Sequence, residues 1–201
     1  MPDAPSLRLG LLASHGGSNL QAIIDACANG LLDATCAVVI SNNSTAKALD
    51  RARAADIAAF HLSTKTHGEL LDQAITDALT SYSVDVVCLA GYMKKLGPIT
   101  LERFAGRIIN IHPALLPRYG GKGMYGEKVH EAVLASGDRE SGATVHVVDE
   151  NYDTGNLLAQ SVVPVFDNDN VETLAKRVLK VEHELYVSTL RQIANGEISL
   201  G

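Results

Sequence analysis

What most constrains this chain is an alternation along its first ninety or so residues. Short, nearly unbroken apolar runs at 7–13, 37–40, 58–62 and 84–89 alternate with segments of helical period. Leu20, Ile23, Ile24, Cys27 and Leu31 fall on one 3.6-residue face, with Gly30 near its end. The alanine-rich stretch 46–55 and the stretch 68–82 supply two further helices. Strands that are apolar on both faces must be covered on both faces, as parallel β–α units do. Three such units with glycines at strand ends predict an α/β fold, a Rossmann-like doubly wound sheet that is mostly parallel.

The second half changes style. Residues 108–112 read as another strand, 113–126 as a long loop rich in proline and glycine, and 127–135 as a helix. The segments 143–148 and 157–165 alternate more and are separated by a turn, which predicts an antiparallel addition to the sheet. A last helix starts near Asn170, with Val171, Leu174, Val178, Val181 and Leu185 on its inner stripe, and runs to about 193. No repeat, linker or low-complexity tract interrupts residues 1–201, so the expectation is one domain.

Composition removes several function classes. With 46% apolar residues and a net charge of −6, the chain is not of disordered type, and general binding to nucleic acid or to anionic membranes is disfavoured. Cys27, Cys36 and Cys88 are odd in number, widely spaced and set in apolar runs, which favours buried reduced thiols over a disulfide framework or a zinc ribbon. The N-terminus lacks a signal-peptide pattern and no apolar stretch approaches a membrane span, so the expected location is the cytoplasm.

Three segments could carry chemistry. The first is Ser14-His15-Gly16-Gly17-Ser18-Asn19, between a strand and a helix. Glycines let a backbone approach an anion, and a helix start presents unpaired N–H groups; Ser18 or Asn19 would cap the helix. The plainer reading is a tight turn, but this is where such folds hold phosphate. Neither a dinucleotide fingerprint nor a Walker A loop is present, since the turn is not G-x-G-x-x-G and no Gly-Lys-Ser/Thr occurs.

The second segment is Asn110-Ile111-His112-Pro113. Residues two apart on a strand face one side, so Asn110 and His112 project together, and Pro113 keeps His112 extended. An amide donor beside a switchable imidazole can hold a developing oxyanion and move its proton. Taken alone, such a quartet reads more often as a core histidine beside a turn-binding asparagine. The third segment is the acidic loop Asp149-Glu150-Asn151-Tyr152-Asp153-Thr154-Gly155. A solvated turn explains Asp149 and Glu150 well. Asp153, ahead of Thr154-Gly155, is the better candidate for an acidic partner that favours the charged form of His112. The histidine spacings give no metal motif, and no serine or cysteine nucleophile signature occurs.

Four segments together resemble the folate-dependent formyltransferase family, and within it the branch that acts on glycinamide ribonucleotide. They are Gly17-Ser18-Asn19-Leu20-Gln21-Ala22-Ile23-Ile24, Leu89-Ala90-Gly91-Tyr92-Met93, Ile109-Asn110-Ile111-His112-Pro113-Ala114-Leu115-Leu116-Pro117 and Asp153-x-Gly155. The resemblance implies transfer of a formyl group from 10-formyltetrahydrofolate, a co-substrate, to the amine of glycinamide ribonucleotide, without a metal. It implies that His112 is the general acid, Asn110 the oxyanion donor and Asp153 the partner that raises the histidine pKa. Gly17, Ser18 and Asn19 would hold the substrate phosphate, with Glu182 near the substrate amine. Met93, Lys94, Lys95 and Leu96, with Asn110 and Asp149, Glu150, Asn151, Tyr152 and Asp153, would line the folate pocket. The partners implied are these two small molecules, for a monomer or homodimer. The glycine-rich stretch 119–126 departs from the common family pattern and reads as a flexible lid. A relative acting on another amine, such as an amino sugar, would lack the phosphate turn, and a non-catalytic folate- or phosphoribosyl-binding module would lack the triad.

Overall fold

A computed structural model describes residues 6–151 and 153–201. Its elements run β1 (Leu7–Leu12), α1 (Ser18–Ala28), β2 (Ala34–Ser41), α2 (Lys47–Ala54), β3 (Ala58–His61), α3 (Thr64–His67), α4 (Leu71–Ser81), β4 (Val86–Leu89), α5 (Pro98–Arg103), β5 (Ile108–His112), α6 (Glu127–Ser136), β6 (Glu140–Val147), β7 (Leu157–Pro164) and α7 (Val171–Ala194). The seven strands form one sheet in the order β3-β2-β1-β4-β5-β6-β7. The pairs from β3 to β5 are parallel, while β5–β6 and β6–β7 are antiparallel, so the fold is the expected α/β sheet with its antiparallel addition.

Alternate residues of β1 feed two cores. Leu9 and Leu11 pack with Leu20 and Ile23 of α1 and with Leu174, Val178 and Tyr186 of α7. Leu12 packs with Ile75 and Leu79 of α4 and with Phe104 on the other face. That two-sided burial is why the first strands read as continuous apolar runs. Gly10 is needed where α4 comes closest: a Cβ there would lie 2.5 Å from Leu79 Cδ2. Helix α7 begins at a capping box, in which Asn170 Oδ1 accepts from Thr173 N at 2.9 Å and Thr173 Oγ1 accepts from Asn170 N at 3.0 Å. Deeper along α7, the Tyr186 hydroxyl donates to the carbonyls of Leu89 and Ile109 at 3.2 and 3.1 Å. It satisfies acceptors on two neighbouring strands at the end of the sheet that faces the cavity described below.

Some boundaries differ from the sequence expectations. Helix α1 ends at Ala28, and Gly30 then turns left-handed, so Leu31 leaves the helical face and is 54% exposed. The stretch expected to be helical from 68 begins with a 3₁₀ turn, Gly68–Leu70, before α4. Helix α5 was not expected; six residues are too few for a periodic signal, although Pro98 stands in its first turn. Asp72 of α4 caps it from outside, accepting from Ile99 N at 2.8 Å, Thr100 N at 3.1 Å and Thr100 Oγ1 at 2.6 Å. The three cysteines are free thiols, but only Cys88 is fully buried; Cys27 and Cys36 are half-buried with their sulfurs 3.8 Å apart. Among the described residues no helix is long and apolar enough to cross a membrane.

Candidate active site

Strand β1 lies between β2 and β4, so the chain direction of travel across the sheet reverses there. In open α/β sheets the crevice beyond the C-terminal strand ends at such a point takes ligands. A cavity of about 630 Å³ opens here, with Asn19, Met93, Lys94, Lys95, Leu96, Asn110, His112, His146, Asp149, Asn151, Asp153 and Glu182 in its wall.

The turn after β1 is fixed from behind by α2. Ala48 N donates to His15 O at 3.1 Å, and Arg51 Nε donates to Gly16 O at 2.8 Å. Arg51 Nη1 also reaches Gln21 Oε1 at 3.0 Å. In a trans peptide the C=O and the following N–H point opposite ways. The carbonyls of His15 and Gly16 face α2, so the N–H groups of Gly16 and Gly17 face away from it. Gly17, with φ 68°, is the N-cap of α1, and neither Ser18 nor Asn19 caps it with a side chain as expected. A Cβ on Gly17 would lie 2.9 Å from Ala48 Cβ, so both its conformation and its neighbour require glycine. The N–H groups of the first turn have no acceptor within the helix. Of this trio, Asn19 enters the cavity wall, and Gly17 and Ser18 adjoin it in the turn.

Ser14 ties this turn to the end of β4. Its N–H donates to Gly91 O at 3.0 Å, its hydroxyl donates to Asn42 Oδ1 at 2.5 Å, and Met93 N donates back to Ser14 Oγ at 2.7 Å. Residues Met93, Lys94, Lys95 and Leu96 follow, along one side of the cavity. Asp149 and Asn151 lie in the wall as well, whereas Glu150 is exposed and not among the lining residues. Tyr152 falls outside the described residues.

Asn110 and His112 stand at the end of β5, two residues apart. The antiparallel register sets His146 of β6 opposite Asn110 and Thr144 opposite His112. Asn110 Nδ2 is 3.1 Å from His146 Nε2, and His146 Nδ1 is 3.0 Å from Val147 O. Thr144 Oγ1 staples the segment after His112: it donates to Ala114 O at 2.6 Å and accepts from Leu116 N at 3.1 Å. The Leu116–Pro117 peptide is cis. Asp153 comes from the loop between β6 and β7, with φ 56°. Its Oδ2 accepts from Gly121 N at 2.9 Å and lies 3.7 Å from His112 Nδ1, and its Oδ1 lies 3.5 Å from His146 Nε2. The other ring nitrogen of His112, Nε2, is 2.8 Å from Tyr119 O.

Electrostatics follow the geometry. His112 lies below the ordinary imidazole value: burial depresses it most, Asp153 and the Tyr119 carbonyl pull upward, and His146 pushes down. The expected upward pull of Asp153 is therefore present, but burial outweighs it. Asp153 lies below the usual carboxylate range; burial pushes up, and His146, His112 and Gly121 N–H together hold it down. Burial lifts Glu182 of α7 to about 7, with a hydrogen bond from Asn19 opposing. Asn19 Oδ1, beside it, is buried with no partner among the described residues. His146 and His130 were missed by sequence reasoning. His130, on α6, lines the cavity, and burial followed by the nearby His112 lowers its pKa. The stretch at 119–126 contributes Gly121 to Gly126 to the cavity wall. Among the described residues no group of three or more His, Cys, Asp or Glu could hold a metal ion.

Comparison with known proteins matches residues 7–190 to the family described as formyl transferase. The chain is 43% identical over 194 residues to the chloroplastic phosphoribosylglycinamide formyltransferase of Arabidopsis thaliana, covering 95% of this chain and 66% of that protein. It is 40% identical over 195 residues to phosphoribosylglycinamide formyltransferase of Haemophilus influenzae, covering 96% of this chain and 90% of that one. The crystal structure of glycinamide ribonucleotide transformylase 1 from Symbiobacterium toebii superposes with a TM-score of 0.91 at 39% identity, over 98% of this chain and 91% of that one. This chain is thus about two thirds as long as the plant relative's sequence and close to the full length of the bacterial ones.

Proposed function

Because this chain belongs to the formyl transferase family, we propose that it is a phosphoribosylglycinamide formyltransferase of purine biosynthesis. It moves the formyl group of 10-formyltetrahydrofolate to the amine of glycinamide ribonucleotide. The observation that carries the reading is one cavity with an anion-ready turn beside it and Asn110, His112 and Asp153 in its wall.

The substrate phosphate sits on the N–H groups of Gly17, Ser18 and Asn19, with the positive end of α1 behind it. The pterin lies against Met93 to Leu96 and the loop carrying Asp149, Asn151 and Asp153. Glu182, with its pKa raised to about 7, takes the proton that an ammonium must lose before its lone pair can attack. The amine then bonds to the formyl carbon and the carbonyl π electrons move onto oxygen. Asn110 Nδ2 and a protonated His112 donate to that oxyanion. The attacking nitrogen, cationic after attack, gives up one proton; collapse re-forms the carbonyl and breaks the bond to the folate nitrogen, which takes up that proton, relayed by His112 and Asp153. Attack by a neutral amine needs no serine, cysteine or metal. We place the enzyme in the cytoplasm, as a monomer or homodimer.

The test is purified protein with glycinamide ribonucleotide and 10-formyltetrahydrofolate, following the absorbance of deformylated folate. Formation of one formylated product per folate consumed is expected. Folate turnover independent of the ribonucleotide, or turnover only with an amino sugar, would overturn the assignment. The turn at Gly17 argues against the amino-sugar reading, since such a substrate brings no phosphate to place there.

A further inference from the structure

His112 Nε2 lies 2.8 Å from the carbonyl oxygen of Tyr119. A carbonyl can only accept, so Nε2 is the donor and keeps its proton whether the ring is neutral or charged. The nitrogen that gains and loses a proton is then Nδ1. That atom is the one 3.7 Å from Asp153 Oδ2. We propose, on the formyl-transfer reading above, that Tyr119 is a positioning residue that locks His112 in the Nε2–H tautomer, and that the proton His112 exchanges with the reacting groups travels through Nδ1.

This arrangement is the reverse of a Ser-His-Asp triad. There the carboxylate holds the nitrogen that stays protonated, and the far nitrogen does the proton transfer. Here a backbone carbonyl holds the permanently protonated nitrogen, and the carboxylate stands on the working side. Asp153 can then return a proton to the same nitrogen that gave one up, through one water, because 3.7 Å is longer than a direct hydrogen bond.

Tyr119 is anchored for such a role. Its φ of 56° is left-handed, a conformation that a bulky residue keeps only where surrounding contacts hold it. Its hydroxyl bonds Ser136 Oγ at 2.6 Å and also Asp138, just beyond the end of α6. Arg118 lies over its ring, 5.5 Å from the centroid, and pairs with Asp138. The next residue must be small, since a Cβ on Gly120 would lie 2.5 Å from Leu116 Cδ2 and 3.3 Å from Asp153 Cβ. Gly121 then donates its N–H to Asp153. Three consecutive residues thus fix both members of the pair, the imidazole by an acceptor and the carboxylate by a donor. The other ionisable groups facing the ring come from β6 and α6, namely His146 and His130. His146 Nδ1 lies 3.0 Å from Val147 O, and its Nε2 stands between Asn110 Nδ2 at 3.1 Å and Asp153 Oδ1 at 3.5 Å.

The tautomer is measured directly. In protein carrying ¹⁵N-histidine, long-range proton–nitrogen correlation above the pH at which His112 titrates should show a protonated Nε2 and a bare Nδ1, with His112→Gln giving the assignment. A protonated Nδ1 would overturn the proposal. Tyr119→Phe keeps the ring and removes the hydroxyl that anchors the segment. Its kcat should fall about tenfold with both KM values within about twofold, and its spectrum should show mixed tautomers. Unchanged kcat together with an unchanged tautomer would overturn the positioning role. The spectrum does not depend on turnover, so a wild-type protein that transfers no formyl group would sink the activity while the tautomer is still decided.

Discussion

The turn after β1 turns main-chain N–H groups of Gly16 and Gly17 away from α2, which steadies it from behind, and Asn19 carries the start of α1 into the cavity wall. Asn110, His112, His146 and Asp153 meet it with side chains, drawn from β5, β6 and the loop after β6. The first region is continuous in sequence, and its chemistry belongs to the backbone. Most side-chain changes there leave the N–H groups in place, but an added Cβ at Gly17 moves them. The second region is assembled by strand pairing and loop packing. Its chemistry belongs to side chains, so a change of charge that keeps the shape is expected to remove its function. Recognition and reaction therefore fail in different ways within one cavity.

The sharpest break of that contrast is Asp153→Asn, which keeps shape and removes charge. It should lower kcat by on the order of 10³-fold, within the range for general acid–base catalysis, with both KM values little changed. Asp153 pulls the His112 pKa upward, so its loss lowers the protonated fraction near neutrality and moves the alkaline limb of the kcat profile to lower pH. His112→Ala should be as damaging, and the double variant little worse than either. An Asn variant with near wild-type kcat and an unmoved limb sinks the pairing.

Glu182 tests an element common to both regions, since α7 packs on α1 and on β6. Its folded pKa is raised to about 7 from 4.5. Between these values the folded protein holds a proton that the unfolded chain has released. Stability is therefore lost as pH rises through that window. Glu182→Gln carries no charge to bury, so at pH 8 it should be more stable than the parent by on the order of 3 kcal/mol. The gap should close toward pH 4. Urea unfolding at the two pH values decides it, and an equal gap at both removes the buried carboxylate as the cause.

Gly17→Ala should act on one substrate alone. The added methyl meets Ala48 and a φ of 68°, so KM for glycinamide ribonucleotide should rise about tenfold to hundredfold while folate binding stays put. Equal weakening of both ligands would make the turn structural. Smallest of the four is Asp72→Ala, which removes the external cap of α5. It should cost about 1 kcal/mol, read as a lower melting temperature with kcat unchanged. A fall in kcat would mean that α5 helps to set the Met93–Leu96 side of the cavity.

The same contrast explains what was legible in the sequence. The parallel half could be read because each β–α unit declares itself within thirty or so residues. Its turn could be read because glycines and a helix start are adjacent. Asn110 and His112 were accessible through strand period, and Asp153 through the loop that follows. His146 was hidden because its place depends on which residue of β6 pairs with Asn110, and strand period alone does not set that register. The part played by Tyr119 was hidden more deeply, since it is a main-chain carbonyl that does the work. Leu31 misled because helical spacing continues on paper past Gly30, where the backbone turns left-handed.

The Ser14 hydroxyl has a consequence in the language of exchange kinetics. Met93 is 43% exposed at the mouth of the cavity, yet its amide proton is held by the hydroxyl of Ser14, a residue only 1% exposed. That hydroxyl is in turn committed to Asn42, and the Ser14 amide to Gly91. Parting of the ends of β1 and β4 would free that amide together with Asn42 in the turn after β2. Where these ends open together, a single amide at a surface position is expected to report all three, and a ligand seated on them to slow the same proton.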